Sequence, residues 1–463
     1  MKIALITHHF PPNYRAGGEQ YAYRLAQALR SLEHQVEVVC IESITEGALP
    51  PACTTGIYQD LLVHRLYFDI RRAPVQFEWT FRNPELGHWV KTFLQRTRPD
   101  IVHVNSGYLL GGTVPEAALG LNIPTVLTLH DYWFMCPLIT LLRPSGRICD
   151  TPVPPARCVW CSLLQKRRYR WPDRQLSSRL GDAFVWSSQS RIAASVMGIT
   201  PQLELVVERR RYLKHILEVV DAVISPSRFL IQKVEEYGFR PRHMVYLPFG
   251  LDKTHISHPG LHSPSEKLRI GYLGQFAPHK GVHLLLAAFK RLVKRSPSYE
   301  LILHGRLSTD SAYERKLLRM AQDQPSITFA GPYPNEQVGQ ILNGLDVLVV
   351  PSIWYENRPT VIIEAHAAQV PVVAARLGGM RELIKHDENG LLFEVGSVES
   401  LAEQLGRLVA EPGLLPHLRS GIGPVPAVED ETATLVSLFK SLLSAPPKAA
   451  PTRPETGVPP NGY

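Results

Sequence analysis

Short apolar runs alternate with stretches of helical periodicity along this chain, so the pattern reads as strands alternating with helices. Residues 2–7 (KIALIT) predict a strand, HHFPPNYRAGG a loop, Glu19 to about Arg30 a helix, and residues 36–41 (VEVVCI) the next strand. Strand, glycine-bearing loop, helix and strand in that order open a doubly wound sheet. Further strands are predicted at 61–66, 101–105, 124–130, 221–227 and 244–248, with helices at 84–96, near 115–119 and at 205–219. A linker containing Pro, Gly and Ser at 253–265 interrupts this rhythm. It resumes with strands at 268–273, 300–304, 327–330, 346–350, 371–374 and 391–393. The expectation is an α/β chain of two doubly wound domains, 1–252 and 266–425, then a helix at 426–443. The Pro-rich polar end, 444–463, is expected to be disordered.

Candidate chemistry gathers where strands hand over to helices. The run DVLVV (346–350) reads as a fully buried parallel strand, and PSIWYENRPTVIIEA (351–365) follows it. Asn357 is the expected N-cap, Pro359 suits the first helical turn, and Thr360 to Ala368 continue as helix. Such a turn presents free backbone N–H groups and a positive dipole end, which suits a diphosphate. Glu356 and Glu364 bracket it with seven residues between them. The plainer reading is an ordinary connection with one solvated and one partly buried glutamate. In LGQFAPHKGV (273–282), Gly274 ends a strand and Gly281 starts a helix, while Lys280 supplies a point charge for a diphosphate. Gly17 and Gly18 let backbone approach a ligand, or simply permit the turn. His130 and Asp131 fall at the carboxyl end of strand 124–130, where open α/β sheets bind ligands.

With Ser352, Glu356, Asn357, Pro359 and Glu364 in place, the segment resembles the family 4 glycosyltransferases. These are retaining enzymes with two facing Rossmann-like domains and an interdomain cleft, the GT-B architecture. Arg98-Pro99-Asp100, Ser225-Pro226-Ser227-Arg228-Phe229 and the Gly378, Gly379, Glu382 turn extend the resemblance over most of the chain. It implies that Glu356 contacts the donor sugar and Glu364 the ribose hydroxyls of the nucleotide. It also implies that His130 lies near the reacting centre, that Lys280 clamps the phosphates, and that the Gly17–Gly18 loop borders donor and acceptor. Asn357, Arg358 and Thr360 complete the expected donor-binding turn. The chain departs from the family at Gln275, where an arginine usually joins the phosphate clamp; Arg306 and Arg358 are candidate replacements.

Four of the six cysteines, Cys136, Cys149, Cys158 and Cys161, fall in one loop-rich stretch after His130-Asp131-Tyr132-Trp133. A Cys-x-x-Cys pair with two further cysteines fits a closed structural zinc site; the alternatives are four reduced thiols, an iron–sulfur cluster or disulfides. A subset of the family carries a similar loop, whereas the family as a whole does not. Residues 166–186 mix basic and aromatic side chains and read equally as a surface helix docking an anionic membrane or as a solvated face. No nucleic-acid module accompanies the charge.

Composition narrows little further. Hydrophobic residues make up 44% and charged residues 20%, as in globular chains, and the net charge of +8 favours anionic partners without choosing one. No apolar run reaches 18 residues, and MKIALITHHF is too short for a signal-peptide core. The expectation is a cytoplasmic chain, with or without peripheral attachment to the inner membrane face. No Asp-x-Asp occurs, so no catalytic cofactor is expected and leaving-group stabilisation falls to amides and cations. The function these observations imply is retaining transfer of a sugar from a UDP- or GDP-sugar to a glycan or lipid-linked hydroxyl. The alternatives are a nucleotide-sugar epimerase or hydrolase on the same fold, and a binding module without catalysis.

Overall fold

The computed structural model describes residues 1–176, 179–256, 266–294, 298–308 and 311–445, which form two compact α/β units. The first takes in Met1–Pro226, Leu230–Leu247 and the chain from Thr432; the second takes in Ser227–Phe229 and Pro248–Glu431. Residues 257–265 of the expected linker and 446–463 of the expected tail lie outside the described residues.

The first unit is built on strands β1 (Lys2–Thr7), β2 (Gln35–Ser43), β3 (Ala52–Tyr58), β4 (Leu61–Tyr67), β5 (Ile101–Asn105), β6 (Thr125–Thr128), β7 (Ala222–Ser225) and β8 (Met244–Tyr246). They lie in the order β3-β4-β2-β1-β5-β6-β7-β8, and only the β3–β4 hairpin is antiparallel. Nearly every position of β1, β5, β6 and β7 is buried, as a parallel sheet covered on both faces requires. β3 is absent from the sequence reading for a physical reason. It sits at the sheet edge with six of its seven positions exposed, so no alternation marks it.

Helix boundaries follow their caps. The Asn83 side chain accepts from the Leu86 N–H at 3.1 Å, Pro84 opens the helix Pro84–Thr97, and Arg98 closes it in a left-handed conformation. The basic stretch resolves into two helices, Arg167–Gln175 and Arg179–Ser187, followed by Arg191–Val196 and the long Thr200–Val219. The C-terminal helix Val428–Ser444 brings Phe439 to 5.8 Å from the His103 ring on β5, within the first unit.

The second unit carries β9 (Leu268–Leu273), β10 (Tyr299–His304), β11 (Ile327–Gly331), β12 (Val347–Val350), β13 (Val372–Ala375) and β14 (Gly390–Phe393). Their order is β11-β10-β9-β12-β13-β14, all parallel. From β9 the chain builds outward through β10 and β11, then returns to the other side of β9 with β12. The strand order therefore reverses between β9 and β12, and the corresponding reversal in the first unit falls between β1 and β5. Outside the carboxyl ends of such strands, loops diverge and leave a crevice for ligands.

Candidate active site

In the second unit the two loops that diverge at the reversal are strapped together. The Ile353 N–H donates to the His279 carbonyl at 2.9 Å. Gly281 has φ +72°, and a Cβ there would stand 1.9 Å from the Pro351 oxygen. Only glycine fits, so Lys280 is held against the turn after β12. Lys280 Nζ lies 2.8 Å from Glu356 Oε1 and 5.0 Å from the Trp354 ring centre. Ser352 Oγ at 2.6 Å and Trp354 Nε1 at 2.8 Å donate to the same oxygen. Burial pushes the Glu356 carboxyl up, but the Lys280 charge and these hydrogen bonds outweigh it and hold the group below its ordinary value. Glu356 is thus a buried, ionised acceptor whose Oε2 receives no hydrogen bond from the described residues.

The turn departs from its expected capping. The helix is Thr360–Ala367 and its N-cap is Pro359, with no side-chain cap; the Asn357 amide oxygen instead accepts from Ser227 Oγ. That bond spends Asn357 on fixing the Glu356 turn. The turn is also backed by Gly378 and Gly379, where a Cβ would collide with the Glu356 and Asn357 carbonyls at 2.7 and 1.6 Å. Thr360 opens the helix, Arg358 is half-buried in the turn before it, and Glu364 is buried one turn later. Tyr333, after β11, carries a phenol raised by burial first and the Glu364 charge second. Gln275 is exposed, as is Arg306 beyond β10; a Cβ on neighbouring Gly305 would stand 2.2 Å from the Gly274 oxygen, so these two loops lie side by side.

In the first unit, the carboxyl ends of β1, β5 and β6 bring a second cluster together. His130 Nε2 lies 2.5 Å from Asn105 Oδ1, and the Tyr21 ring packs edge-on at 4.9 Å. An amide oxygen only accepts, so Nε2 carries the proton. Burial pushes the His130 pKa down to about 3, which makes it a neutral imidazole and not a cation at neutral pH. Burial also pushes the Asp131 carboxyl up; its Oδ1 accepts from the Trp133 N–H at 2.8 Å. Gly17 and Gly18 open the helix Gly17–Ser31, which has no side-chain cap. A Cβ on Gly17 meets nothing, whereas one on Gly18 comes within 3.1 Å of His8. His8 stands 3.3 Å from Glu19 and 5.9 Å, ring to ring, from Tyr108. His8, Glu19 and Tyr108 were not singled out from the sequence, because a lone histidine or tyrosine carries no spacing signal. Trp354 was readable only as part of its motif.

The cysteine loop places Cys136 before a small hairpin closed by the Leu142–Ile148 bridge and Cys149 after it, with Cys158 and Cys161 on the helix Pro155–Leu163. All four cysteines line one cavity. Arg143 Nε donates to Cys149 Sγ and Arg210 Nη2 to Cys158 Sγ, each at 3.2 Å. Burial pushes the Cys136 thiol up to about 11 and Cys161 up to about 12, so both are protonated at neutral pH. Among the described residues, no three His, Cys, Asp or Glu side chains stand in a metal-holding group. The four cysteines converge without closing into a ligand set, two of them hydrogen-bonded to arginine.

A family profile described as "Glycosyl transferase 4-like domain" matches residues 16–208, and one described as "Glycosyl transferases group 1" matches residues 254–420. The chain is 27% identical over 271 residues to D-inositol 3-phosphate glycosyltransferase of Corynebacterium urealyticum, covering 54% of this chain and 61% of that protein. It is 25% identical to the capsular polysaccharide biosynthesis glycosyltransferase CapM of Staphylococcus aureus, over 42% and 50%. The match to D-inositol 3-phosphate glycosyltransferase of Streptomyces bingchenggensis is 26% identical over 91% of this chain and 84% of that protein. The chain thus spans about half to three fifths of the first two relatives and most of the third. Among solved structures, sucrose-phosphate synthase from Thermosynechococcus elongatus superposes with a TM-score of 0.65 at 19% identity, over 96% of this chain and 99% of that one. HepE from Anabaena, in complex with UDP, gives 0.64 at 16%, over 95% and 100%. The two α/β units and these matches lead to one assignment: the chain belongs to the GT-B glycosyltransferases, with a glycosyl transferase 4-like domain followed by a glycosyl transferases group 1 domain.

Proposed function

We propose that this chain transfers a sugar from a nucleotide diphosphate sugar to a hydroxyl acceptor with retention of anomeric configuration, in polysaccharide or glycolipid assembly. The observation that carries the reading is the Lys280–Glu356 pair at the strand-order reversal, beside the uncapped start of helix Thr360–Ala367. Helix-end amides and cations there suit a diphosphate, and Glu356 Oε2 suits a sugar hydroxyl. Support comes from relatives named as D-inositol 3-phosphate and capsular polysaccharide glycosyltransferases, and from HepE structures holding UDP or UDP-glucose.

In the proposed reaction the anomeric carbon–oxygen bond of the donor breaks with oxocarbenium character. The bond electrons leave with the nucleoside diphosphate. The acceptor oxygen attacks from the same face, and its proton passes to the departing phosphate oxygen. His130, neutral and fixed by Asn105, positions donor or acceptor and carries no charge. Activity without added divalent metal is part of the proposal. So is one structural zinc in the cysteine loop, supported by four cysteines lining one cavity. That zinc requires the sulfurs to draw closer and two arginine hydrogen bonds to yield.

The test is nucleoside diphosphate release from a panel of UDP-, GDP- and ADP-sugars, with and without candidate acceptors, followed by the anomeric configuration of the product. Acceptor-dependent release with a retained anomer supports transfer. Release without acceptor marks a hydrolase, an intact but isomerised donor marks an epimerase, and binding with no turnover marks a module without catalysis.

A further inference from the structure

Helices Arg167–Gln175, Arg179–Ser187 and Arg191–Val196 hold an outer surface that the transfer reaction does not use. Their inner side is anchored. The Trp160 ring packs 4.8 Å from Phe184 and 6.3 Å from Tyr169, a Cβ on Gly181 would collide with Trp160, and Asp173 accepts from the Gly181 N–H at 3.2 Å. Val185 and Ala194 are buried on the same side. The outer side has the opposite character. Trp171 is 65% exposed, Trp186 76%, Ile192 78% and Val196 82%, with Leu176 and Met197 exposed beside them. Ile192 and Val196 stand four apart on one helix face, and Ser187 Oγ reaches Met197 Sδ at 3.9 Å, so Trp186 and this pair lie at adjoining helix ends. Elsewhere the exposed large apolar side chains include the cross-strand pair Ile57 and Leu62 on the edge hairpin, but no other exposed tryptophan occurs among the described residues. Single exposed apolar residues mean little, whereas a cluster of this kind marks a contact surface.

Charge selects the partner. Lys166, Arg167, Arg168, Arg170 and Arg179 are all exposed, and none pairs with a carboxylate among the described residues. The acids between residues 166 and 197 are Asp173 and Asp182; one is buried and the other is paired with Arg157. Arg167 and Arg168 precede Trp171 by four and three residues, which puts cations and indole on neighbouring positions of one helix. Indole rings seat at the headgroup level of a bilayer while unpaired cations meet anionic lipid phosphates. A protein partner would need a matching apolar pocket for each tryptophan; a bilayer needs none. We infer that this face docks the chain onto an anionic lipid bilayer, with Trp171, Trp186, Ile192 and Val196 inserted and the basic residues on the headgroups. The inference stands independently of the transfer reading.

The experiment is flotation of the full chain with vesicles of phosphatidylcholine alone, or of phosphatidylcholine mixed with phosphatidylglycerol. The chain should float with the mixed vesicles and stay behind with phosphatidylcholine. Trp186→Ser/Ile192→Ser and Arg167→Glu/Arg168→Glu should each weaken vesicle binding by roughly tenfold or more, and added salt should weaken binding of the wild type by screening its ionic component. Unchanged thermal melting of both variants shows that they fold, as expected for four exposed side chains of which only Arg168 stacks on a neighbouring ring, that of Tyr169. Three outcomes overturn the inference. They are no flotation with either vesicle, equal flotation of the variants, and a dimer in light scattering that Trp186→Ser dissolves while vesicles remain unbound.

Discussion

Glu356 and Lys280 form the ion pair on which the proposed site depends, and their coupling can be measured. Glu356→Gln and Lys280→Ala should each lower transfer by about 100-fold or more, and the double variant should lose far less than the product of the two. Full additivity in that cycle, read as kcat/KM, would show that the two side chains act separately. Lys280→Ala also leaves a buried carboxylate without its cation, a cost of about 1–3 kcal/mol visible in thermal melting. In the wild type the Glu356 pKa lies below its unfolded value of about 4.3. Its contribution is therefore present above that pH and lost as pH falls through the folded value. Removing Lys280 raises the folded value, so acid unfolding should begin at a higher pH in Lys280→Ala. Gly281 is as decisive for geometry. Gly281→Ala forces a side chain into a left-handed backbone and against the Pro351 oxygen, and should abolish donor binding in calorimetry. These roles were legible unequally. Glu356, Lys280 and Glu364 stand in a recognisable motif, whereas Asn357 looked like a helix cap and proved to be a partner of Ser227. A cap is decided by which N–H groups come within reach, and linear order does not contain that.

Elements organise the cysteine loop. Two cysteines flank a hairpin and a helix carries two, and all four line one cavity. Metal analysis of protein made without a His tag should find one zinc per chain, lost in Cys158→Ser/Cys161→Ser. Active enzyme free of metal would leave four thiols, two of them bonded to Arg143 and Arg210. Convergence of the cysteines was implicit in their spacing. The intervening arginines were not, because Arg210 comes from a helix 49 residues beyond Cys161. The edge strand Ala52–Tyr58 was missed for a related reason: exposed on nearly all its positions, it has no hydrophobic pattern to read.

At the scale of the whole molecule, a bound donor should stabilise the fold by mass action. A nucleoside diphosphate at about 100 times its Kd adds about 2.7 kcal/mol to unfolding, seen as a rise in melting temperature. Glu364→Ala should need more nucleotide for the same rise while kcat at saturation stays near wild type; a lowered kcat at unchanged affinity would contradict a ribose contact. No melting shift with UDP, GDP or ADP would contradict donor binding altogether. The sequence by itself determined the class of the fold, since runs of Val, Ile and Leu at strand length, separated by amphipathic helices, bury their faces only in doubly wound parallel sheets. It also picked out the candidate site, because motif glycines, lysine and glutamates follow strands. Tertiary structure alone decided the strand order. The reversal between β9 and β12 brings two loops some seventy residues apart to one carboxylate oxygen, and the reversal between β1 and β5 gathers His8, Tyr108 and His130. Hydrophobic periodicity is local and reports burial; which strands become neighbours depends on long-range pairing, and that pairing assembles the site.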